Sequence, residues 1–247
     1  MQKEKVGYLL LGLIGLVAII GFSLSDPIEQ DLDYHNFSDG LTIARIPNFW
    51  NVVSNLPFLL VGVLGVLRLK NMNCANLQFL IFFVGVSLVA FGSGYYHLSP
   101  DNHTLVWDRL PMTVAFTALI SIVVSEFIHL QTGKRLLWPL VALGVVSIVY
   151  WVQTGDLRFY ALVQFYPMVG IPIVLVFFKS ASHSTKGFWW LLMAYLLAKV
   201  FETFDAQIHD LLGFMSGHPL KHVAAAFGVY MLIHSFKEIN ANQETQS

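Results

Sequence analysis

The chain has 247 residues, of which 56% are hydrophobic and 12% are charged, and its formal net charge is −1. Soluble domains carry about 25% charged residues, so this composition excludes an ordinary soluble globular protein. The balanced charge and the lack of a basic cluster exclude nucleic acid as a partner. One cysteine, Cys74, excludes an internal disulfide.

Apolar runs of membrane-spanning length fill most of the chain. A helix needs about 20 mostly apolar residues to cross a bilayer. The first run also resembles a signal peptide, because Lys3 and Lys5 precede it and Ser23-Leu24-Ser25 is compatible with a cleavage site. We favour a retained helix, because the run is long for a signal peptide. We predict eight transmembrane helices, at 7–24, 50–69, 77–98, 110–130, 136–152, 159–178, 188–204 and 219–236.

This pattern predicts an all-α membrane protein in which a seven-transmembrane-helix core follows one additional N-terminal transmembrane helix. The extra helix occupies 1–25, an outer acidic loop 26–49, the core 50–240 and a cytoplasmic tail 241–247. Lys and Arg accumulate in cytoplasmic segments. With the N-terminus inside, nine of them are cytoplasmic (Lys3, Lys5, Arg68, Lys70, Lys134, Arg135, Lys179, Lys186 and Lys237) and three are outside (Arg45, Arg109 and Arg158).

Three histidines fall at the outer ends of predicted helices. His97 ends the third helix, while His218 and His222 begin the eighth. His218 and His222 are four residues apart, so their rings lie on one helix face. Such a pair alone is more often hydrogen-bonded than metal-bound, but His97 supplies a third ligand at the same depth. Three imidazoles and one open position are the ligand set of a catalytic zinc ion.

Ser93 and Asp108 accompany these histidines at the outer side. Ser93 lies one turn from His97, where its hydroxyl can stabilise an oxyanion; alternatively it is a packing residue in a run of small residues. Asp108 is a candidate general acid and base for zinc-dependent hydrolysis. The alternatives for Asp108 are a carboxylate facing a helix N-terminus and an ion pair with Arg109.

Other polar residues near these ends allow two interpretations. Asn51 and Asn55 share one face of the second helix with Ser54 beside them, and such groups either cross-link helices or orient metal ligands. Lys199, Glu202 and Asp205 follow one another at three-residue spacing, which indicates an internal ion-pair stripe on the seventh helix. The candidate residues behind the metal ligands are Asn51, Ser54, Asn55 and Asp205.

The outer loop is rich in oxygen donors. Carboxylates and amide carbonyls bind hard cations such as calcium, although a solvated acidic loop has the same composition. Exposed histidines outside the cluster (His35, His103 and His209) usually act neither as ligands nor as proton carriers. The candidates for a second metal are Asp33, Asn36, Asp39 and Asn48.

Three motifs in this order resemble those of the alkaline ceramidases. That family belongs to a superfamily of seven-helix membrane hydrolases that includes the adiponectin and progestin receptors. The resemblance runs from about residue 33 to the C-terminus, and the segment 48–55 is similar to the stretch that opens the first core helix of the family. The motifs are Gly92-Ser93-Gly94-Tyr95-Tyr96-His97, Trp107-Asp108-Arg109-Leu110-Pro111-Met112 and His218-x-x-x-His222.

The resemblance implies zinc held by His97, His218 and His222, with Ser93 and Asp108 at the reacting centre. It implies hydrolysis of the amide of ceramide or a related N-acyl lipid to a fatty acid and an amine. It also implies a calcium ion in the acidic loop, but Asn48 stands where the family pattern has glutamate. The short loops suggest a bacterial inner-membrane protein with both termini in the cytoplasm and the site on the periplasmic side.

Two other functions fit the same residues. A receptor or sensor of this superfamily would keep the zinc site and signal through a partner. A proton-coupled transporter would use the histidines and Asp108 as a relay. The sequence shows neither a long cytoplasmic domain nor clear inverted repeats, which would favour these alternatives.

Overall fold

The computed structural model describes residues 2–69, 76–180 and 185–244, with side chains given throughout except at 76 and 237–244. Lys70, Cys74 and His183 lie outside the described residues, as does the end of the predicted tail. The described parts of the chain contain no strand and are helical: α1 (Gln2–Leu24), α2 (Phe49–Val53), α3 (Leu56–Arg68), α4 (Asn76–Leu98), α5 (Asn102–Phe127), α6 (Leu130–Thr154), α7 (Arg158–Phe177), α8 (Lys186–Thr203), α9 (Asp205–Leu212) and α10 (Gly217–Glu244).

The predicted class, an all-α membrane protein, is confirmed. Among the described residues, six helical segments are long and apolar enough to cross a membrane, and one of them is α1. The pair α8 and α9 gives a seventh span if its bend of 75° belongs to a single crossing. The remaining predicted run coincides with α10, which packs along α8. The chain is therefore an integral membrane protein.

The predicted run 50–69 coincides with one candidate span, Phe49–Arg68, whose helix is interrupted at Ser54 and Asn55, between α2 and α3. One end of another predicted run was wrong. The run 110–130 begins earlier, at Asn102, because Asp101 caps the helix: its Oδ1 accepts from the Thr104 N–H at 2.6 Å. This hydrogen bond also holds the pKa of the Asp101 carboxyl below its usual value. Asp108 consequently lies inside α5, not at its first residue.

Small residues let the helices that bear the site approach closely. A Cβ atom on Gly92 of α4 would overlap the Trp107 carbonyl of α5. A Cβ atom on Gly217 would overlap the Phe201 carbonyl of α8 in the same way. Close backbone contact at small residues is a common way for membrane helices to associate. It brings the end of α4, the start of α5 and the start of α10 together at what we call the histidine end of the bundle.

The opposite end of the bundle is filled by a large apolar core. Phe79, Phe83 and Ile122 are buried there between α4 and α5, and Leu232 and Ile233 pack against them from α10. Close packing of such side chains holds neighbouring helices in one arrangement. The polar residues of the histidine end are therefore positioned by an apolar scaffold and do not have to hold the bundle together.

Helix α1 attaches to the outside of this bundle along α7. Its aromatic residue Tyr8 meets Phe178 edge to face at 4.8 Å. At its other end, Arg158 donates from Nη1 to the Phe22 carbonyl at 3.0 Å and pairs with Asp156 at 2.8 Å. Helix α1 thus contributes to stability through α7 and supplies no residue to the cavity described below.

Candidate metal centre

His97, His218 and His222 converge in one cluster. The nitrogen atoms through which each ring can ligate lie within 4.8 Å of one another. The ring centroids form a nearly equilateral triangle with sides of 4.9, 5.1 and 5.1 Å. All three side chains are buried, although α4 and α10 are far apart in sequence. Among the described residues this is the one group of three or more His, Cys, Asp or Glu that meets the spacing of a metal site.

A hydroxyl group fixes the orientation of His222. Ser54 Oγ lies 2.8 Å from His222 Nδ1 and donates its proton to the Asn51 carbonyl at 3.2 Å. With its one proton given to that carbonyl, the Ser54 hydroxyl can accept from Nδ1–H of His222, in the tautomer that leaves the lone pair on Nε2 for a metal. A ligand imidazole needs its second nitrogen held in this way. The break between α2 and α3 places Ser54 at this point.

The backbone around the other two histidines is also held by side chains. Asp205 Oδ1 accepts from the His218 N–H at 2.6 Å, and its other oxygen accepts from the Ser38 N–H at 3.2 Å. Asn48 Nδ2 donates to the His97 carbonyl at 2.9 Å. Asp205 therefore supports the start of α10 and not an imidazole ring, whereas Asn48 ties the outer loop to the end of α4.

Asn51 and Asn55 act within the helix break. Asn51 Nδ2 donates to the Asp39 carbonyl at 2.9 Å, and Asn55 Nδ2 donates to the Asn51 carbonyl at 2.8 Å. Both side chains are buried. Of the four candidates for support of the metal ligands, Ser54 alone is seen in contact with an imidazole ring. The two amides instead fix the backbone that presents it.

Phe37 covers the cluster from the outer loop. Its ring meets His97 and His218 edge to face, with centroid separations of 4.7 and 4.8 Å. Beside it, His35 Nδ1 bonds to the Tyr96 hydroxyl at 2.9 Å. The sequence analysis did not single out Phe37, and no local pattern identifies a phenylalanine in a polar loop as a cover for distant histidines.

Ser93 and Asp108 form a pair beside the histidines. Both are buried and both line the same cavity as the three histidines. The contact of Gly92 with the Trp107 carbonyl explains this pair, because each partner is the next residue in its own helix. A carboxylate, a hydroxyl and three imidazoles can together bind and polarise a hydrolysable group.

Arg109 is engaged elsewhere, so the predicted alternative of a pair with Asp108 is wrong. Its Nη2 donates to Gln30 Oε1 at 2.6 Å. The guanidinium carbon lies 4.4 Å from the ring centroid of Trp151 and 4.8 Å from that of Tyr160. Arg109 thus anchors the outer loop through its hydrogen bond to Gln30 and packs against α6 and α7 by cation–π contacts.

A cavity of about 550 Å³ opens beside the cluster. This volume lies within the range of pockets that bind small molecules and lipid chains. Away from the histidine end its wall is apolar and aromatic. The apolar part of the lining includes Phe58, Val86, Met112, Phe116, Leu119, Met168, Ile171 and Val229.

The four predicted calcium ligands make hydrogen bonds within the protein. Asp33 Oδ1 accepts from Asn36 Nδ2 at 3.1 Å, while Asn48 bonds to the His97 carbonyl. Asp39 is fully buried; its Oδ1 accepts from the Leu41 N–H and its Oδ2 has no partner among the described residues. Burial raises the pKa of the Asp39 carboxyl above its usual value. Calcium binding stays a prediction.

The histidine cluster fits a zinc ion by its chemistry. Three imidazole nitrogens leave one position open for water or substrate, as in catalytic zinc sites. His97 Nδ1 is buried and has no hydrogen-bond partner among the described residues. Buried polar atoms are normally satisfied, so this ring leaves bonding capacity for a group outside the described protein.

Comparison with known families agrees with this arrangement. A family model described as Ceramidase matches residues 41–247, which include the histidines, Ser93 and Asp108. The comparison with curated proteins found no match. The family match starts after α1, inside the predicted outer loop.

Proposed function

The chain belongs to the ceramidase family, and from that premise we propose that it is a zinc-dependent membrane hydrolase that cleaves the amide bond of ceramide or a related N-acyl lipid. The single observation that carries this proposal is the buried triangle of His97, His218 and His222, with Ser93 and Asp108 in the wall of the same cavity. In this proposal α1 is an addition to a core spanning 50–240, preceded by the loop 26–49 and followed by the tail 241–247.

The three histidines would hold the zinc ion, and Ser54 would keep His222 in the tautomer that ligates through Nε2. When bound, zinc supplies a Lewis acid that polarises the amide carbonyl and lowers the pKa of water. Phe37 covers two of the three rings and limits access of bulk water. Exclusion of water strengthens the electrostatic interactions within the site.

Asp108 and Ser93 would divide the remaining tasks. Asp108 takes a proton from the attacking water, whose oxygen forms a bond with the carbonyl carbon. The Ser93 hydroxyl donates to the oxyanion that develops. Asp108 then passes the proton to the amide nitrogen as the C–N bond breaks, which releases a fatty acid and an amine. Their burial in the wall of one cavity beside the three histidines supports their action at one carbonyl group.

A lipid substrate fits the location of the cavity. The apolar wall can take an acyl chain from the surrounding bilayer without exposing it to water. We further propose that the histidine end faces the periplasm of a bacterial inner membrane, because Lys and Arg are concentrated in the segments at the opposite side.

The test combines metal content with turnover. Purified protein in detergent should contain about one zinc per chain and should release fatty acid from ceramide or another member of an N-acyl lipid panel. His218→Ala and His222→Ala should lose both zinc and hydrolysis. If zinc-loaded protein cleaves no lipid of the panel, yet changes conformation on binding one, the chain is a receptor of the same superfamily and the proposed hydrolase activity is wrong.

A further inference from the structure

Two lysines and one glutamate line the same cavity near the histidine cluster. Lys199 and Glu202 lie one turn apart on α8, and Lys221 precedes His222 on α10. Lys199 Nζ donates to Glu202 Oε2 at 2.5 Å, and Lys221 Nζ donates to Glu202 Oε1 at 2.6 Å. We call these three residues the Lys–Glu–Lys cluster. The ion-pair stripe predicted for α8 is thus one half of a larger group.

The Lys–Glu–Lys cluster has one positive charge in excess, because two ammonium groups share one carboxylate. The other charged residues that line the cavity are Asp108 and Arg109, which are opposite in sign. The described lining therefore has a net positive charge even before a cation is added at the histidines. An uncompensated charge inside an apolar cavity is costly. An anionic ligand would offset this cost.

The two ammonium groups have donors to spare. Each has three N–H groups, and each gives one to Glu202 in the hydrogen bonds of the described residues. Each Glu202 oxygen accepts from one lysine, so the single negative charge of the carboxylate is shared by two ammonium groups. The Lys199 side chain is 40% exposed and that of Lys221 is 16% exposed. The donors therefore extend from the mouth of the cavity towards the histidines.

Joining α8 to α10 does not require the second lysine. The two helices already meet at backbone distance where Gly217 faces the Phe201 carbonyl and Gly228 faces Ala194. One lysine would suffice to neutralise Glu202. The second positive charge destabilises the folded protein unless an anionic ligand neutralises it.

We propose that the Lys–Glu–Lys cluster binds an anionic oxygen group, a carboxylate or a phosphate, on the amine portion of the substrate. The cavity would then prefer an N-acyl lipid with an anionic headgroup over neutral ceramide. This inference rests on the proposed function, because it names the substrate class of the same site. The acyl chain lies along the apolar wall, the amide meets the histidines, and the headgroup reaches Lys221 and Lys199.

Two matched pairs of substrates test the preference without any mutation. N-palmitoylglycine and N-palmitoylethanolamine differ by a carboxylate in place of a hydroxymethyl group, and ceramide 1-phosphate differs from ceramide by its phosphate. Hydrogen bonds to charged groups contribute about 1.5–3 kcal/mol, so kcat/KM should favour an anionic member by about tenfold to a hundredfold. The pair with the larger ratio identifies carboxylate or phosphate as the group that is recognised.

Variants then assign the preference to the Lys–Glu–Lys cluster. Lys199→Gln and Lys221→Gln should each lower the ratio of anionic to neutral kcat/KM by about tenfold. Glu202→Gln breaks the same ion pairs but frees both lysines, so the ratio should stay equal or rise. Lys134→Gln, an exposed lysine at the start of α6, is the control and should leave the ratio unchanged.

The outcomes separate this inference from the proposed function. Equal kcat/KM within both substrate pairs, or a loss in the lysine variants that affects anionic and neutral substrates alike, would overturn anion recognition and leave the hydrolase intact. If no member of either pair is hydrolysed, the proposed hydrolase activity is wrong, and anion recognition is then tested by measuring ligand binding. N-palmitoylglycine should then raise the Tm of the zinc-loaded protein more than N-palmitoylethanolamine does, and Lys199→Gln should remove the difference. Equal increases would overturn anion recognition as well.

Discussion

Replacing Ser54 by alanine should weaken zinc binding although Ser54 is not a ligand. Its Oγ lies 2.8 Å from His222 Nδ1 and donates to the Asn51 carbonyl, so it can accept Nδ1–H from the ring when Nε2 binds the metal. The Ser54→Ala variant removes both hydrogen bonds and leaves Nδ1–H in a buried setting without an acceptor. The ring then loses the partner that fixes its tautomer and its rotation, so a smaller fraction of molecules presents Nε2 to the metal.

The magnitude follows from the contacts that are lost. Removing the partner of a ligand imidazole typically weakens metal binding about tenfold to a hundredfold. That range corresponds to about 1.4–2.7 kcal/mol. Leaving one buried N–H unsatisfied costs about 1–3 kcal/mol, which is a similar range. Ser54 is 8% exposed, so water has little room to replace the hydroxyl, and we expect the upper half of the range.

The assay is a zinc titration of metal-free protein in detergent against a competing chelator of known affinity. Ser147→Ala is the control, because Ser147 is also buried and also donates to a backbone carbonyl three residues earlier, that of Gly144 at 2.6 Å, but lies within α6. Both variants lose a buried hydroxyl, but only the hydroxyl of Ser54 contacts an imidazole ring in these two cases. Zinc should bind Ser54→Ala more weakly than Ser147→Ala. Equal Kd values for the two variants would refute the role assigned to this contact.

Three further predictions follow from the site. Asp108→Asn should keep its zinc and lose about a hundredfold to ten-thousandfold in hydrolysis rate, as expected for a general acid and base; wild-type rates would show that the carboxylate is structural. Gly92→Ala should lower the Tm and the rate together, because the added methyl group drives α5 away from α4, whereas Gly94→Ala adds a methyl group into open space and should change neither. In an otherwise cysteine-free chain, a cysteine at the exposed position 102 or 103, at the start of α5, should react with an impermeant thiol reagent in intact cells and one at Lys134 should not; the reverse pattern would invert the proposed orientation.

The sequence was sufficient to place the helices and the three histidines. A bilayer demands long apolar runs, so composition alone located all eight, and each of them coincides with helical structure in the described residues. The four-residue spacing of His218 and His222 places both rings on one helix face, and this does not depend on which helices α10 contacts. The predicted ends were wrong where polar residues belong to a helix, as at Asn102. A search for apolar runs does not find a polar first turn that is held by a capping residue.

Contacts between helices were decided by the tertiary structure. Nothing local in the sequence shows that Ser54 reaches His222, that Phe37 covers His97, or that Lys221 joins Lys199 on Glu202. Those contacts depend on how each helix is rotated about its axis and on which neighbour it meets. Apolar runs fix the depth of a residue in the membrane, but rotation and pairing are set by packing, here by close approach at glycines such as Gly92 and Gly217.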